Sequence, residues 1–138
     1  MSCVIGSSIL SSTTMGEFLP VAKIGYGNYL YVYDYSGTNW YGLSAATSVD
    51  INSTLFSNAT IPVIQAYNID QKMDDGIPTT GSVLAVYLNN TTTTPALAPN
   101  TATSGGNSTS CYDTTTKTYS TSQNNGNGTN CALSFRLQ

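Results

Sequence analysis

The chain has 138 residues, with 4 basic and 7 acidic side chains, no histidine and a formal net charge of −3. That length supports one core and not two, and Lys23, Lys72, Lys117 and Arg136 make no basic stripe that would neutralise phosphates, which argues against nucleic acid as a main partner. The absence of histidine excludes a serine or cysteine nucleophile paired with an imidazole base, and with it any His-ligated zinc.

Residues 1–17 are small and polar apart from Val4, Ile5, Ile9 and Leu10, and read as an N-terminal arm or the tail of a longer helix. The next segment carries the clearest strand signal. Tyr29, Tyr31, Tyr33 and Tyr35 fall on one face and Leu30 and Val32 on the other, the period of two that a half-buried strand requires. Turn residues from Asp34 to Asn39 lead into a second strand over Asn39 to Leu43, which makes a hairpin. Residues 44–60 read as an irregular connection.

A helix is expected from Ile61 to about Met73. Thr60 is placed to cap it, Pro62 is tolerated in its first turn, and Gly76 followed by Pro78 ends it. Val63, Ile64, Ala66, Tyr67, Ile69 and Met73 provide an apolar share wide enough to lie across a sheet, with Ile64, Tyr67, Ile69 and Met73 as the expected contact set. A third strand is expected over Ser82 to Leu88. Residues 89–110, with four consecutive threonines and a Gly-Gly pair, form a low-complexity loop, and Cys111 to Tyr119 and Cys131 to Leu137 read as the last two strands. Hairpin, helix, then strands, without regular βαβ alternation, predicts a single α+β domain over 1–138: a small antiparallel sheet, one helix packed on it and long polar loops. An all-β sandwich is the alternative, and the helix start and stop signals oppose it.

Three cysteines, Cys3, Cys111 and Cys131, permit three single-bridge pairings. Cys111 with Cys131 is the favoured pair because these two bracket a Thr-, Ser-, Asn- and Gly-rich loop that apolar burial could not order. Closing a loop of that length stabilises a fold by about 3 kcal/mol in the chain-entropy model, and it implies an oxidising compartment. Cys3 is left without a partner.

Motifs for chemistry are sparse. Gly25-Tyr26-Gly27 precedes a strand and lacks the third glycine of a dinucleotide loop. A glycosidase carboxylate pair could be drawn from Glu17, Asp34, Asp50, Asp70, Asp74 and Asp75, but no spacing singles one out. Asp70, Asp74 and Asp75 are the best candidates for a bound calcium ion, since carboxylates and a glycine turn at a helix C-terminus supply oxygen ligands. Lys72 stands where a calcium loop needs Asp or Asn, so the EF-hand pattern fails, and a turn cap with solvated charge is the preferred reading. No other cofactor is implied. The tyrosine row could stack on sugar rings; packing against the sheet, with the rings buried and hydroxyls wet, is the preferred account. Sequons at Asn52, Asn58, Asn90, Asn107 and Asn127 match N-glycosylation acceptors, and in so Thr- and Asn-rich a chain they also arise by composition.

The string AYNIDQKMDDGIPTTGSV, Ala66 to Val83, resembles the rear half of prepilin-type proteins, the subunits of bacterial type IV pili and type II secretion pseudopili. Upstream, FLPVAKIGYGNYLYVYDYSGTNWYGLS, Phe18 to Ser44, is similar to the strand pair of such heads, and the close from Cys111 to Gln138 is similar to their cysteine-bracketed ending. The family's basic leader and long apolar helix have no match at Met1-Ser-Cys-Val-Ile-Gly. The resemblance thus implies the globular head alone: a non-enzymatic structural subunit, periplasmic or extracellular. Its expected partners are other pilin or pseudopilin subunits, and the inner membrane through the missing helix. An extracellular carbohydrate-binding or adhesive module that uses the aromatic strand face is the alternative.

Overall fold

The computed structural model describes residues 10–11, 14–50, 54–89 and 97–137. Residues 1–9 of the expected N-terminal arm, with Cys3, the sequon asparagines Asn52 and Asn90, and 90–96 of the expected low-complexity loop lie outside them.

The fold is α+β and mostly antiparallel. In chain order the elements are β1 (Leu10–Ser11), α1 (Met15–Phe18), β2 (Tyr29–Tyr35), β3 (Thr38–Val49), β4 (Leu55–Asn58), α2 (Val63–Met73), β5 (Val83–Leu84) and β6 (Val86–Leu88). There follow β7 (Leu97–Pro99), β8 (Ala102–Thr103), β9 (Tyr112–Asp113), a 3₁₀ turn (Gln123–Gly126) and β10 (Leu133–Arg136). A six-stranded sheet is built around β3, which pairs with β2 and β10 along its first half and with β1 and β4 along its second, while β5 joins beyond β10. The short pairs β6–β7 and β8–β9 stand apart from it.

The expected hairpin is present, but its second strand is longer than Asn39 to Leu43. It continues to Val49, and β4 follows within what read as an irregular connection. Small residues such as Ser44, Ala45 and Ala46 carry little local strand signal; what extends β3 is the partner strand, which pairs with it through a bulge between Ala46 and Ser48. The expected strand over Ser82 to Leu88 breaks at Ala85 into β5 and β6, which belong to different sheets.

Strand register sorts the side chains onto two faces. On one, Leu43 lies beside Leu133, and Tyr41 beside Phe135. Leu43, Leu133 and Phe135 join the cluster that contains Val83, Ile61, Val63, Ala66, Tyr119 and the two disulfide cysteines, with α2 lying over it, while Tyr41 stays exposed. On the other face Tyr31, Tyr33 and Trp40 pack with Met15, Ala46 and Leu55. The sheet is therefore covered on both sides, and each side has its own core.

Helix α2 starts two residues later than expected, and Thr60 does not cap it. The Thr60 hydroxyl donates instead to the carbonyl of Tyr26 at 3.0 Å, and Pro62 occupies the N-cap position. Donors at the helix start are met by the C-terminal loop: Ile61 exchanges backbone hydrogen bonds with Cys131 at 2.8 and 3.0 Å, and the Val63 N–H donates to the Gly128 carbonyl at 3.0 Å. The contact set is also corrected. Val63, Ala66 and Asp70 form the fully buried line, Tyr67 and Ile69 are partly buried, and Met73 is 63% exposed. Met73 is the last residue of the helix and lies outside its buried line of Val63, Ala66 and Asp70. No helix among the described residues is long and apolar enough to cross a membrane.

Candidate functional site

The acidic cluster sits where α2 stops. Gly76 adopts φ +72°, a conformation that glycine enters without strain, and reverses the chain after Asp74. Six residues earlier, Asp70 is fully buried on the inner face of the helix. One of its oxygens accepts the Gly76 N–H at 3.1 Å, and the other accepts the Tyr119 hydroxyl at 2.7 Å. Asp74 accepts the N–H groups of Ser82 and Val83 with a single oxygen, so it ties the helix end to the start of β5. Asp75 accepts the Ile77 N–H at 2.8 Å and the Thr80 hydroxyl at 2.7 Å.

All three carboxylates thus fall together, with ligand-capable oxygens within 4.8 Å of one another. The sequence reading of the cluster as a turn cap with solvated charge describes Asp74 and Asp75, which accept donors of the turn and of the chain that follows it. For Asp70 it requires correction, because this carboxylate is buried rather than a solvated charge. As a calcium site the set is sparse: the ion takes six to eight oxygens, whereas three carboxylates gather here and five of their six oxygens already meet N–H or O–H donors of the turn, Ser82, Val83 and Tyr119. The geometry is that of a clamp joining helix, turn, β5 and the Cys111–Cys131 loop.

The electrostatics follow from that placement. Burial raises the Asp70 carboxyl to about 6; the hydrogen bonds from Tyr119 and Gly76 pull it down, and the carboxylates of Asp75 and Asp74 push it up. The Tyr119 phenol is also raised, first by burial and then by its bond to Asp70. At the other end of the same loop, Asp113 is held below the usual carboxylate range, chiefly by the Thr115 N–H, with help from the N–H of Gly105 and the Thr116 hydroxyl. Glycine is required next to the clamp: Gly81 has φ +80°, and a Cβ there would overlap the Asp74 carboxylate.

Cys111 and Cys131 are joined as a disulfide, Cα atoms 5.0 Å apart, and both are fully buried. This bridge is compatible with an oxidising compartment. It anchors the Tyr119 segment and the start of α2 to each other.

The middle of the tyrosine row packs inward, with Tyr29 half-buried and Tyr35 exposed. Tyr31 and Tyr33 are buried, and the Tyr31 ring covers Gly42, where a Cβ would collide with it. The sequence suggested wet hydroxyls, but both are bonded inside the protein. Tyr31 shares a hydrogen bond with Ser44 at 2.7 Å and accepts the Leu88 N–H, while Tyr33 donates to Ser134 at 2.8 Å, and Ser134 in turn to the Val86 carbonyl. Burial accordingly raises the Tyr33 phenol to about 12. The hairpin's exposed tyrosines, Tyr35 and Tyr41, lie on opposite faces by strand parity, so they form no common stacking surface.

Sequence reasoning missed Tyr119 as the partner of Asp70, and Asn100, whose buried side chain bonds both backbone groups of Ala132 at 2.7 and 3.0 Å. It also missed the serines that meet the tyrosine hydroxyls. For Ser134 a signal existed: alternation along β10 puts it on the tyrosine side, opposite Leu133 and Phe135. A shallow cavity of about 530 Å³ is lined by Gly37, Thr38, Asn39, Ser82, Arg136 and Leu137, with neither a carboxylate nor an imidazole among them. Compared with known proteins, the chain matches no family model, no curated protein and no solved structure.

Proposed function

We propose that this chain is the globular head of a bacterial prepilin-type protein, a non-enzymatic structural subunit of a type IV pilus or a type II secretion pseudopilus. In this reading an apolar helix encoded upstream anchors the subunit in the inner membrane and later joins the filament core. The head then lies in the periplasm or outside the cell, in contact with other pilin or pseudopilin subunits. One observation supports the reading above the rest: the three blocks that resemble the family fold against one another. The β2–β3 hairpin supplies the sheet, the segment from Ile61 to Val83 lays its helix on that sheet, and the Cys111–Cys131 loop clasps the helix at its start through Ile61 and near its end through Tyr119. A subunit pulled through an assembly machine benefits from such cross-linking of helix, turn and C-terminal loop.

The test is fractionation of the source bacterium expressing the intact gene. Mass spectrometry of filaments sheared from the cell surface, and of the inner membrane, is expected to find the protein in both. Recovery only as a free secreted monomer, together with glycan binding by the isolated domain on an array, would replace this reading with the adhesive one.

A further inference from the structure

We propose that Asn107 is an acceptor for an N-linked sugar, taken from a donor whose anomeric carbon carries a phosphate leaving group. The sequon Asn107-Ser108-Thr109 is one of several in the chain, and its geometry separates it from those at Asn58, Asn89 and Asn127; the Asn89 side-chain oxygen accepts the Ser57 N–H at 3.4 Å. Asn58 lies in β4 opposite Ala45, and the hydroxyl two residues on, that of Thr60, is spent on the Tyr26 carbonyl. Asn127 ends the 3₁₀ turn, and among the described residues its side chain receives no bond from Thr129. At Asn107 the side-chain oxygen accepts both the backbone N–H and the hydroxyl of Thr109, each at 2.9 Å. The Asn107 amide nitrogen has no hydrogen-bond partner among the described residues, and the residue is exposed.

This arrangement suits the chemistry. A carboxamide nitrogen is a poor nucleophile because its electron pair is delocalised into the carbonyl. Two donors held on the oxygen stabilise the negative charge that gathers there as the nitrogen gives up a proton, in the manner of donors preset for a developing oxyanion. In the transfer, the amide nitrogen loses that proton to a base on the transferase and its electron pair forms the bond to the sugar C1. The C1–O bond breaks, and the phosphate departs with its electrons. The acceptor turn is already ordered: the Asn107 N–H donates to the Ser110 hydroxyl at 2.8 Å, the Ser110 N–H to the Asn107 carbonyl at 3.2 Å, and Ser110 is buried beside the disulfide residue Cys111. The neighbouring loop contributes polar contacts, from the Asn130 amide to the Ser108 carbonyl at 3.0 Å and to the Ser110 carbonyl at 3.4 Å.

The test uses the purified chain with its disulfide intact, UDP-glucose and a soluble sequon-specific N-glucosyltransferase, read by peptide mass mapping. The expected result is one hexose on Asn107, with the oxidised protein modified at least as fast as the reduced one. The N107Q variant loses the hexose and the T109S variant keeps it; circular dichroism of both variants confirms that they fold. A hexose found on Asn58 or Asn127 with Asn107 bare overturns the proposal, as does modification of Asn107 only after the disulfide is reduced.

Discussion

Buried Asp70 couples folding stability to pH. Its carboxyl titrates near 6 in the native state and near 3.9 in an unfolded chain, so the native state holds the proton more tightly. Stability from this group is fully present below about pH 4 and is lost as pH rises towards about 6. Thermal unfolding followed by circular dichroism is expected to show wild type losing a few degrees of Tm relative to D70N between those pH values. A difference that stays flat, or that grows in favour of wild type, would contradict the buried placement. Gly81 offers a second residue-scale test. At Gly81 and Gly37 φ is +80° and +73°, but only at Gly81 would a Cβ meet a neighbour, the Asp74 carboxylate. The G37A variant is expected to lose about 1 kcal/mol from left-handed strain alone, and G81A at least about 2 kcal/mol, both measured by urea unfolding.

At the scale of elements, helix α2 is held by what surrounds it more than by its own ends. No side chain caps its start, and the disulfide loop supplies the missing partners through Cys131 and Gly128. Gly126, with φ +70°, lets that loop approach, since a Cβ there would come within 2.8 Å of the Ile64 Cβ. Replacing Cys111 and Cys131 together by serine is expected to destabilise the fold by about 3 kcal/mol. Hydrogen exchange should then show the Val63 and Ala66 amides exchanging faster than those of β2 and β3, because the helix start loses its anchor while the hairpin keeps its ladder. The tyrosine strand makes a parallel case. Removing the Tyr31 hydroxyl in Y31F leaves the Leu88 N–H and Ser44 without that partner, an expected loss of about 1 to 2 kcal/mol. Substituting the exposed Val32 by threonine should change stability by less than about 0.5 kcal/mol.

For the molecule as a whole, one sheet carries a separate core on each of its two faces. The face under α2 is closed by the disulfide loop, and the face under Tyr31 and Tyr33 is closed by β4, β6 and α1 through apolar packing and shared hydroxyls. Polar surface in the C-terminal third is made by Ser, Thr and Asn rather than by charge. Asn107 lies exposed on that surface.

Tyrosine periodicity and the turn residues from Asp34 to Asn39 determined the β2–β3 hairpin as far as Leu43. Gly76 and Pro78 determined where α2 ends, and the polar loop between Cys111 and Cys131 determined which thiols needed each other. These signals are local or rest on composition, and one chain shows them. Tertiary structure alone decided the rest. A carboxylate three residues from Tyr67 looks like any surface charge until Tyr119, 49 positions away, closes over it. The hydroxyls of Tyr31 and Tyr33 read as wet until Ser44 and Ser134 face them across the sheet. Thr60 looks like a cap until Tyr26 takes its hydroxyl and Cys131 takes its place. Each of these residues carries a polar group whose partner is distant in sequence, and burial, which makes that partner necessary, exists only once the layers have packed.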